Sequence, residues 1–180
     1  MNKILIVVDM QNDFIDGTLG TAEAQKVIPN AVNKIRSFNG DVYATLDTHY
    51  DNYLETSEGI NLPVMHCIKD SDGWKLNDKI QDALNSVGYT PILKPTFGST
   101  ELATVISENY DISDIEIELM GLCTDICVVS NALLLKAFFP EVKISVDESC
   151  CAGVTRESHN AALATMRSCQ INIIGADNNV

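Results

Sequence analysis

The sequence predicts a three-layer α/β/α fold, in which helices cover both faces of a parallel β-sheet. The main observation is that short apolar runs and amphipathic helical patterns alternate six times along the 180 residues. This alternation is typical of βαβ units with right-handed crossovers. The first run, residues 4–8, is apolar at every position, as expected for a strand buried on both faces of a parallel sheet.

Length and composition indicate one domain over residues 1–180, because a chain with 46% hydrophobic residues can build a substantial core. The net charge of −13 argues against nucleic acids and anionic membranes as partners. The apolar run at residues 4–8 is too short for a signal peptide or a membrane span. We therefore expect a cytoplasmic protein that binds neither membrane nor nucleic acid.

The first half of the chain begins with a strand at residues 4–8. A helix is expected over residues 29–38, because Pro29 suits a first helical position and Asn-Gly follows the helix. Residues 42–46 form the second predicted strand.

A long polar stretch, residues 47–72, lacks clear periodicity and is a candidate functional loop. Residues 74–87 then show one apolar helical face, and residues 90–93 form a short strand. Ser99 can cap the helix that follows, because its hydroxyl can accept from a free N–H of the first turn.

The second half repeats the same alternation of strand and helix. It predicts, in order, a strand at 115–120, a helix around Cys127 that Pro140 ends, a strand at 142–146, a loop at 147–153, a helix capped by Thr155 and a strand at 171–174.

Reactive residues follow the ends of the first four strands. They are Asp9, Asp47 with His49, Lys94 and Cys127. Because sites in parallel sheets form at the carboxyl ends of the strands, we expect these side chains to converge. A cysteine, a carboxylate and a lysine together can perform acyl transfer: the carboxylate takes the thiol proton and the cation stabilises the ionised groups.

Cys127 falls in the first turn of its predicted helix. Free N–H groups and the helix dipole there favour the thiolate, and the same N–H groups could hold an oxyanion. The alternative is that Cys127 is packed as a small apolar residue. The six cysteines show no disulfide framework, so we expect reduced thiols.

Three motifs together resemble the isochorismatase-like cysteine hydrolases, and among them the nicotinamidases: Asp-Met-Gln-Asn-Asp-Phe at 9–14, Lys94, and Gly-x-x-Thr-Asp-x-Cys-Val at 121–128. The resemblance covers almost the whole chain. It implies a six-stranded parallel, Rossmann-like sheet and a thioester intermediate. It also implies an Asp9, Lys94 and Cys127 triad, a cis peptide at Leu122–Cys123, and an oxyanion hole formed by the backbone of Cys123 and Cys127.

The long loop carries residue types that bind transition metals. Two histidines, His49 and His66, with nearby carboxylates suit Zn²⁺, Mn²⁺ or Fe²⁺. The alternative is that both are loop histidines with ordinary hydrogen bonds. The resemblance implies one divalent ion held by Asp47, His49, Glu58 and His66, although Asp51 or Glu55 could replace Glu58.

Pocket walls are less well defined. Phe14 and Phe97 could line the site, or pack in the core. Related metal-binding enzymes often carry Trp where this chain has Pro63, and the single Trp here is Trp74. His159 lies on an apolar helical face and is expected to be a partly buried, hydrogen-bonded residue. We assign no role to the Cys150–Cys151 pair.

The expected function is hydrolysis of nicotinamide to nicotinate and ammonia, as in NAD salvage, by an enzyme that forms a homo-oligomer. One alternative is another small carbamoyl, ureido or cyclic amide as the substrate. Another is cleavage of the isochorismate vinyl ether. A third, outside enzyme chemistry, is a redox sensor that uses an exposed thiol of low pKa.

Overall fold

The computed structural model describes residues 1–175 and contains six parallel strands in one sheet. The strands are β1 (Asn2–Val8), β2 (Asp41–Asp47), β3 (Thr90–Lys94), β4 (Ile115–Leu122), β5 (Lys143–Ala152) and β6 (Asn172–Ile174). Their order in the sheet is β3-β2-β1-β4-β5-β6. The predicted α/β class and the six-stranded parallel sheet are confirmed.

The α-helices of the described part of the chain are α1 (Asn12–Ile15), α2 (Ala22–Ser37), α3 (Ser57–Asn61), α4 (Asp78–Val87), α5 (Thr100–Asn109), α6 (Val129–Phe138) and α7 (Arg156–Ser168). Helices α2 and α4 pack together in one layer, and α5, α6 and α7 pack in sequence in the other. Within residues 1–175, no helix is long and apolar enough to cross a membrane.

The order of the strands reverses at β1. From β1 the chain winds outward through β2 to β3, then returns to place β4 on the other side of β1. Such a switch point opens a crevice at the carboxyl edge of the sheet. The residues that follow β1 and β4, including Asp9 and Cys123, therefore border this crevice.

Strand β1 forms the centre of the core. Its residues 4–8 have no solvent-exposed surface, because neighbouring strands and both helical layers cover them. This burial explains why the run is apolar throughout instead of alternating with polar residues.

Strand β4 approaches β1 closely at Gly121. Gly121 has a φ of +125°, and a Cβ atom built there would lie 2.1 Å from the carbonyl oxygen of Val8. Glycine therefore allows the close contact between the two strands that border the crevice.

Two helix caps follow the sequence prediction. Ser99 accepts from the N–H of Leu102 at the start of α5. Thr155 and Ser158 form a reciprocal capping box at the start of α7. Ser99 and Thr155 are each the last residue of the loop before the helix.

Three predicted boundaries are wrong. Helix α2 begins at Ala22, with Thr21 as its cap, and contains Pro29 in its interior. Pro29 is exposed, and the buried residues Ala24, Ile28, Ala31 and Ile35 hold the helix on the sheet despite it. The apolar face therefore overrides the local effect of proline on the helix.

The predicted helix at 74–87 begins only at Asp78, because residues 74–77 instead form hydrogen bonds with residues 10–12. The predicted loop at 147–153 is largely strand, since β5 continues to Ala152. A register shift in β5 opposite residues 119–121 of β4 accommodates its polar residues.

Candidate active site

Three reactive side chains meet at the carboxyl edge of the sheet. Lys94 Nζ lies 2.6 Å from Asp9 Oδ2 and 3.5 Å from Cys127 Sγ. The exposed fractions of Asp9, Lys94 and Cys127 are 0%, 1% and 4%. The structure thus brings these three sequence-predicted residues into one buried cluster.

Lys94 remains charged in this buried position. Burial opposes its charge, but the carboxylates of Asp9 and Asp47 raise the pKa of Lys94 far above its ordinary value. Its ammonium also donates to Asp47 Oδ1 at 3.1 Å and to the Thr96 carbonyl at 3.0 Å. These acceptors hold the cation between the carboxylates and the thiol.

Asp9 is held in place by β2. Its φ of +47° is uncommon for a residue with a side chain. Thr45 fixes this conformation, because its carbonyl accepts from Asp9 N at 3.1 Å and its hydroxyl donates to Asp9 Oδ1 at 2.6 Å. Burial raises the pKa of Asp9 above its ordinary value, and the charge of Lys94 opposes the rise. Asp9 is therefore more basic than an exposed carboxylate.

Cys127 lies in the first helical turn after β4, as expected, but that turn is π-helical. It spans Thr124–Val128 and leads directly into α6. The Cys123 carbonyl accepts from the N–H groups of Ile126 and Val128, each at 3.1 Å. The second of these bonds has the i to i+5 spacing of a π turn, a feature often found at functional sites.

The expected preference of Cys127 for the thiolate is wrong. Burial raises the pKa of the Cys127 thiol well above its ordinary value, Asp9 adds to the rise, and Lys94 opposes it. The helix terminus is visible in the sequence, whereas the depth of burial is not. Burial favours the protonated thiol, so a nearby base is needed to ionise it.

The peptide bond between Leu122 and Cys123 is cis, as the resemblance implied. The Cys123 N–H donates to no group within residues 1–175, and the residue lines the cavity beside Cys127. The Cys123 thiol is a poor nucleophile, because burial raises its pKa to about 12.

A second cluster lies beside the first. The Nε2 atoms of His49 and His66 lie 3.0 and 3.5 Å from Asp47 Oδ2, and each lies 3.6 Å from Glu58 Oε1. One ligand atom from each of the four residues falls within 4.8 Å of all the others. Asp51 and Glu55 are exposed and do not belong to this group.

The donor set fits a divalent transition metal. An ion about 2.1 Å from its ligands separates adjacent ligand atoms by roughly 3.0–3.5 Å, close to the separations seen here. His66 Nδ1 donates to the Val64 carbonyl at 2.8 Å, which leaves Nε2 free as a ligand. Burial and the nearby Asp47 raise the pKa of Glu58, so a cation between the two carboxylates would relieve their repulsion.

Asp47 connects the two clusters. Its Oδ2 contacts both histidines and its Oδ1 contacts Lys94. Although burial opposes it, hydrogen bonds from the two histidines and the charge of Lys94 hold the pKa of Asp47 well below its usual range. The sequence predicted that Asp47 lies near Asp9, Lys94 and Cys127, but it did not predict that Asp47 contacts both Lys94 and the histidines.

A cavity joins the two clusters. It is lined by Phe14, Leu19, Asp47, Glu58, Leu62, His66, Phe97, Cys123, Ile126 and Cys127. Its apolar walls suit a small ring, and both expected aromatic residues contribute to them. Trp74 does not line the cavity, and its Nε1 donates to Thr48 Oγ1 at 2.9 Å. Leu62, the residue before Pro63, lines the cavity instead.

Gln11 belongs to the motif at residues 9–14, but the sequence alone assigned it no role. Its side chain donates to the Asp47 carbonyl and accepts from Asp47 N, each at 2.8 Å. It also donates to the Trp74 carbonyl at 2.8 Å. The sequence signal for this role is a glutamine just after the end of a buried strand, because a buried amide side chain needs several hydrogen-bond partners.

The remaining candidates lie outside the cavity wall. His159 is partly buried and its Nδ1 lies 2.8 Å from Thr124 Oγ1, as expected for a hydrogen-bonded histidine. Cys150 and Cys151 are buried and do not line the cavity. All six cysteines are free thiols, as predicted.

Comparison with known proteins identifies similar sequences. The isochorismatase domain model matches residues 3–178. A Bacillus subtilis (strain 168) protein described as the uncharacterized isochorismatase family protein PncA is 32% identical over 177 residues. That match covers 91% of this chain and 93% of the relative.

Solved structures with the same fold include a Pyrococcus horikoshii pyrazinamidase in complex with zinc. It is 25% identical with a TM-score of 0.79, and the match covers 97% of this chain and 99% of that one. The Bacillus subtilis nicotinamidase/pyrazinamidase PncA is 23% identical with a TM-score of 0.83, over 96% and 99% of the two chains.

Proposed function

The chain belongs to the isochorismatase family, and on this basis we propose that it is a cysteine-dependent amidohydrolase whose preferred substrate is nicotinamide. The observation that carries the proposal is the cavity with Asp9, Lys94 and Cys127 at one end and two histidines with two carboxylates at the other. A substrate with an amide on one side of a small ring and a ligand atom on the other spans these two ends.

The first step is attack by Cys127 on the amide carbon. Asp9 takes the thiol proton as the Sγ–C bond forms, which its raised pKa favours. The oxyanion that develops is stabilised by the backbone N–H groups of Cys123 and Cys127. Lys94 balances the negative charge as it moves from carboxylate to thiolate and substrate.

The second step releases ammonia. Asp9 gives its proton to the amide nitrogen as the C–N bond breaks, which leaves a thioester on Cys127. A water molecule then gives a proton to Asp9 and adds to the thioester carbonyl. Breaking the C–S bond releases the carboxylic acid, and Cys127 regains its proton from Asp9.

The second cluster would help to orient the ring. Asp47, His49, Glu58 and His66 would hold a divalent ion, which would supply a Lewis-acidic contact for the ring nitrogen of nicotinamide and for water. The zinc complex of the Pyrococcus horikoshii pyrazinamidase supports zinc as one candidate. Phe14 and Phe97 line the cavity.

The test is ammonia release from a panel of amides by the metal-loaded protein, with Cys127→Ala and Cys123→Ala as a matched pair. We expect the highest kcat/KM with nicotinamide, a loss of roughly 10⁴-fold or more in Cys127→Ala, and activity near wild type in Cys123→Ala. Turnover by folded Cys127→Ala would contradict the nucleophile. A higher kcat/KM for a carbamoyl or ureido amide would replace nicotinamide as the substrate.

Two alternatives receive less support from the geometry. A redox sensor needs an accessible thiolate, but Cys127 is 4% exposed and its pKa is raised. Cleavage of isochorismate, a vinyl ether, leaves the donor set of Asp47, His49, Glu58 and His66 without a role.

A further inference from the structure

The Asn131 side chain connects two segments that border the cavity. Asn131 lies in α6, four residues after Cys127, and has no exposed surface. Its Nδ2 donates to the carbonyls of Cys127 at 2.8 Å and Phe97 at 3.1 Å, and its Oδ1 accepts from Ser99 N at 2.9 Å. Three main-chain groups therefore fix one buried amide.

The first connected segment is the π turn that carries the thiol. The second runs between β3 and α5, over residues 95–98, and has no regular secondary structure. This segment carries Phe97, which is 42% exposed and lines the cavity. Its Thr96 carbonyl accepts from Lys94 Nζ. Asn131 thus links the thiol to the segment that contacts its cationic partner.

Stabilisation of α6 alone does not explain all three contacts. An asparagine that bonds the carbonyl four residues earlier is a local feature of helices. The contacts to Phe97 and Ser99, however, span 34 and 32 residues of sequence. They join separate elements and restrict how the β3–α5 segment can move relative to the π turn.

We propose that Asn131 is a positioning residue that sets the separation between the Cys127 thiol and the Lys94–Phe97 side of the cavity. The kinetic part of this inference rests on the proposed amidohydrolase function. A displacement near 1 Å of a reacting group can cost about 100-fold in rate, so loss of these contacts has a measurable effect on kcat.

The test uses Asn131→Ala and Asn131→Asp with Ser99→Ala as the matched control. Asn131→Asp keeps the shape and the acceptor for Ser99 N but loses the amide donors. Ser99→Ala removes the side-chain cap of α5 in the same region and leaves the three bonds of Asn131 intact. Thermal unfolding of each variant defines the loss of stability, and kinetics are measured where each remains folded.

We expect kcat for nicotinamide to fall by about 100-fold in both Asn131 variants, with a smaller change in KM. Ser99→Ala should keep the wild-type kcat despite its lower melting temperature. Equal kcat values in all three variants and the wild type would overturn the proposal. If Asn131→Ala does not fold, the uncharged Asn131→Ser, which cannot make all three contacts, provides the comparison.

Alkylation of Cys127 by iodoacetamide, followed by peptide mass spectrometry, gives a second readout that needs no substrate. The charged groups that face the thiol are Asp9, Lys94 and Asp47, and Asn131→Ala changes none of them. Slower alkylation than in Ser99→Ala at one fixed pH is expected if the thiol moves away from Lys94. If the wild type hydrolyses no amide, slower alkylation still supports positioning, and an unchanged rate overturns it.

Discussion

Burial has a larger effect on Cys127 than the helix terminus does. Free N–H groups and a nearby lysine both favour a thiolate, and the sequence identifies them. The structure adds that the thiol is 4% exposed and close to Asp9, so its pKa rises. Sequence patterns identify the type of a reactive residue, but its pKa depends on its depth of burial and on charged side chains from other strands.

The opposing effects of Lys94 and Asp47 on this thiol can be separated in metal-free protein. Lys94→Ala should shift the pH dependence of Cys127 alkylation to higher pH, because Lys94 lowers the pKa of the thiol. Asp47→Asn should shift it to lower pH, because the Asp47 carboxylate raises that pKa. Alkylation by iodoacetamide across a pH series measures both, with the exposed Lys75→Ala as control. Shifts in the same direction would contradict the assigned charges.

Asp9→Asn should remove the base without changing the shape of the site. We expect kcat to fall by roughly 10²–10⁴-fold, because burial favours the protonated thiol and the substitution removes its proton acceptor. Steady-state ammonia release measures the effect, and exposed Asp16→Asn is the matched control. A kcat for Asp9→Asn equal to that of the control would assign proton transfer to another group.

Among the secondary-structure elements, local chemistry predicted some boundaries well. The hydroxyls of Ser99 and Thr155 cap α5 and α7, as their positions before apolar helical patterns indicated. The start of α2 was not predicted, although Thr21 caps it through its own side chain. The end of β5 was not predicted because pairing with β4 extends the strand to Ala152. The π turn also escaped prediction, since its sequence has the same apolar pattern as an ordinary first turn.

The contact between β4 and β1 predicts a strong difference between two glycines. Gly121→Ala would place a methyl group 2.1 Å from the Val8 carbonyl oxygen at a φ of +125°. We expect it to lower the free energy of unfolding by more than about 2 kcal/mol, through steric and backbone strain. Gly98→Ala is the control, because its Cβ would lie 3.4 Å from the nearest atoms. Urea denaturation compares them, and equal losses would show that β1 and β4 can separate without cost.

At the scale of the whole molecule, the sheet order explains why distant residues share one site. β1 lies between β2 and β4. Asp9, at the end of β1, therefore accepts a hydrogen bond from Thr45 of β2 and lies beside the Cys127 turn that follows β4. The sequence predicted the convergence of strand ends but not the strand order. It therefore could not show that Asp47 contacts both Lys94 and the histidines, which depends on the register of β2 and β3.

This shared residue changes what can be expected of metal-site variants. Loss of Asp47 should affect both clusters, since its two oxygens contact different partners. His66 contacts Asp47 and Glu58, and no hydrogen bond or ion pair joins it to Lys94 or Cys127 in the described part of the chain. His66→Ala should therefore raise KM for nicotinamide while Cys127 keeps its wild-type alkylation rate.

Metal binding by the folded protein gives the remaining prediction. At a free zinc concentration about 100 times Kd, binding stabilises the native state by about 2.7 kcal/mol, or roughly 5–10 °C in melting temperature. The gain should shrink as the pH falls, beginning above the ordinary imidazole pKa of about 6.5, because protons compete with the metal for imidazole nitrogen. Burial lowers the pKa of His66, but the hydrogen bond to Asp47 outweighs burial and raises it. His66→Ala should lose the stabilisation by zinc. His159→Ala should keep it, because His159 forms a hydrogen bond with Thr124 outside the cluster.

Thermal shift with elemental analysis of the metal-loaded protein measures the effect of zinc on the melting temperature. Equal responses in the two variants, or full nicotinamide turnover by the metal-free wild type, would exclude this cluster as the site that orients the substrate.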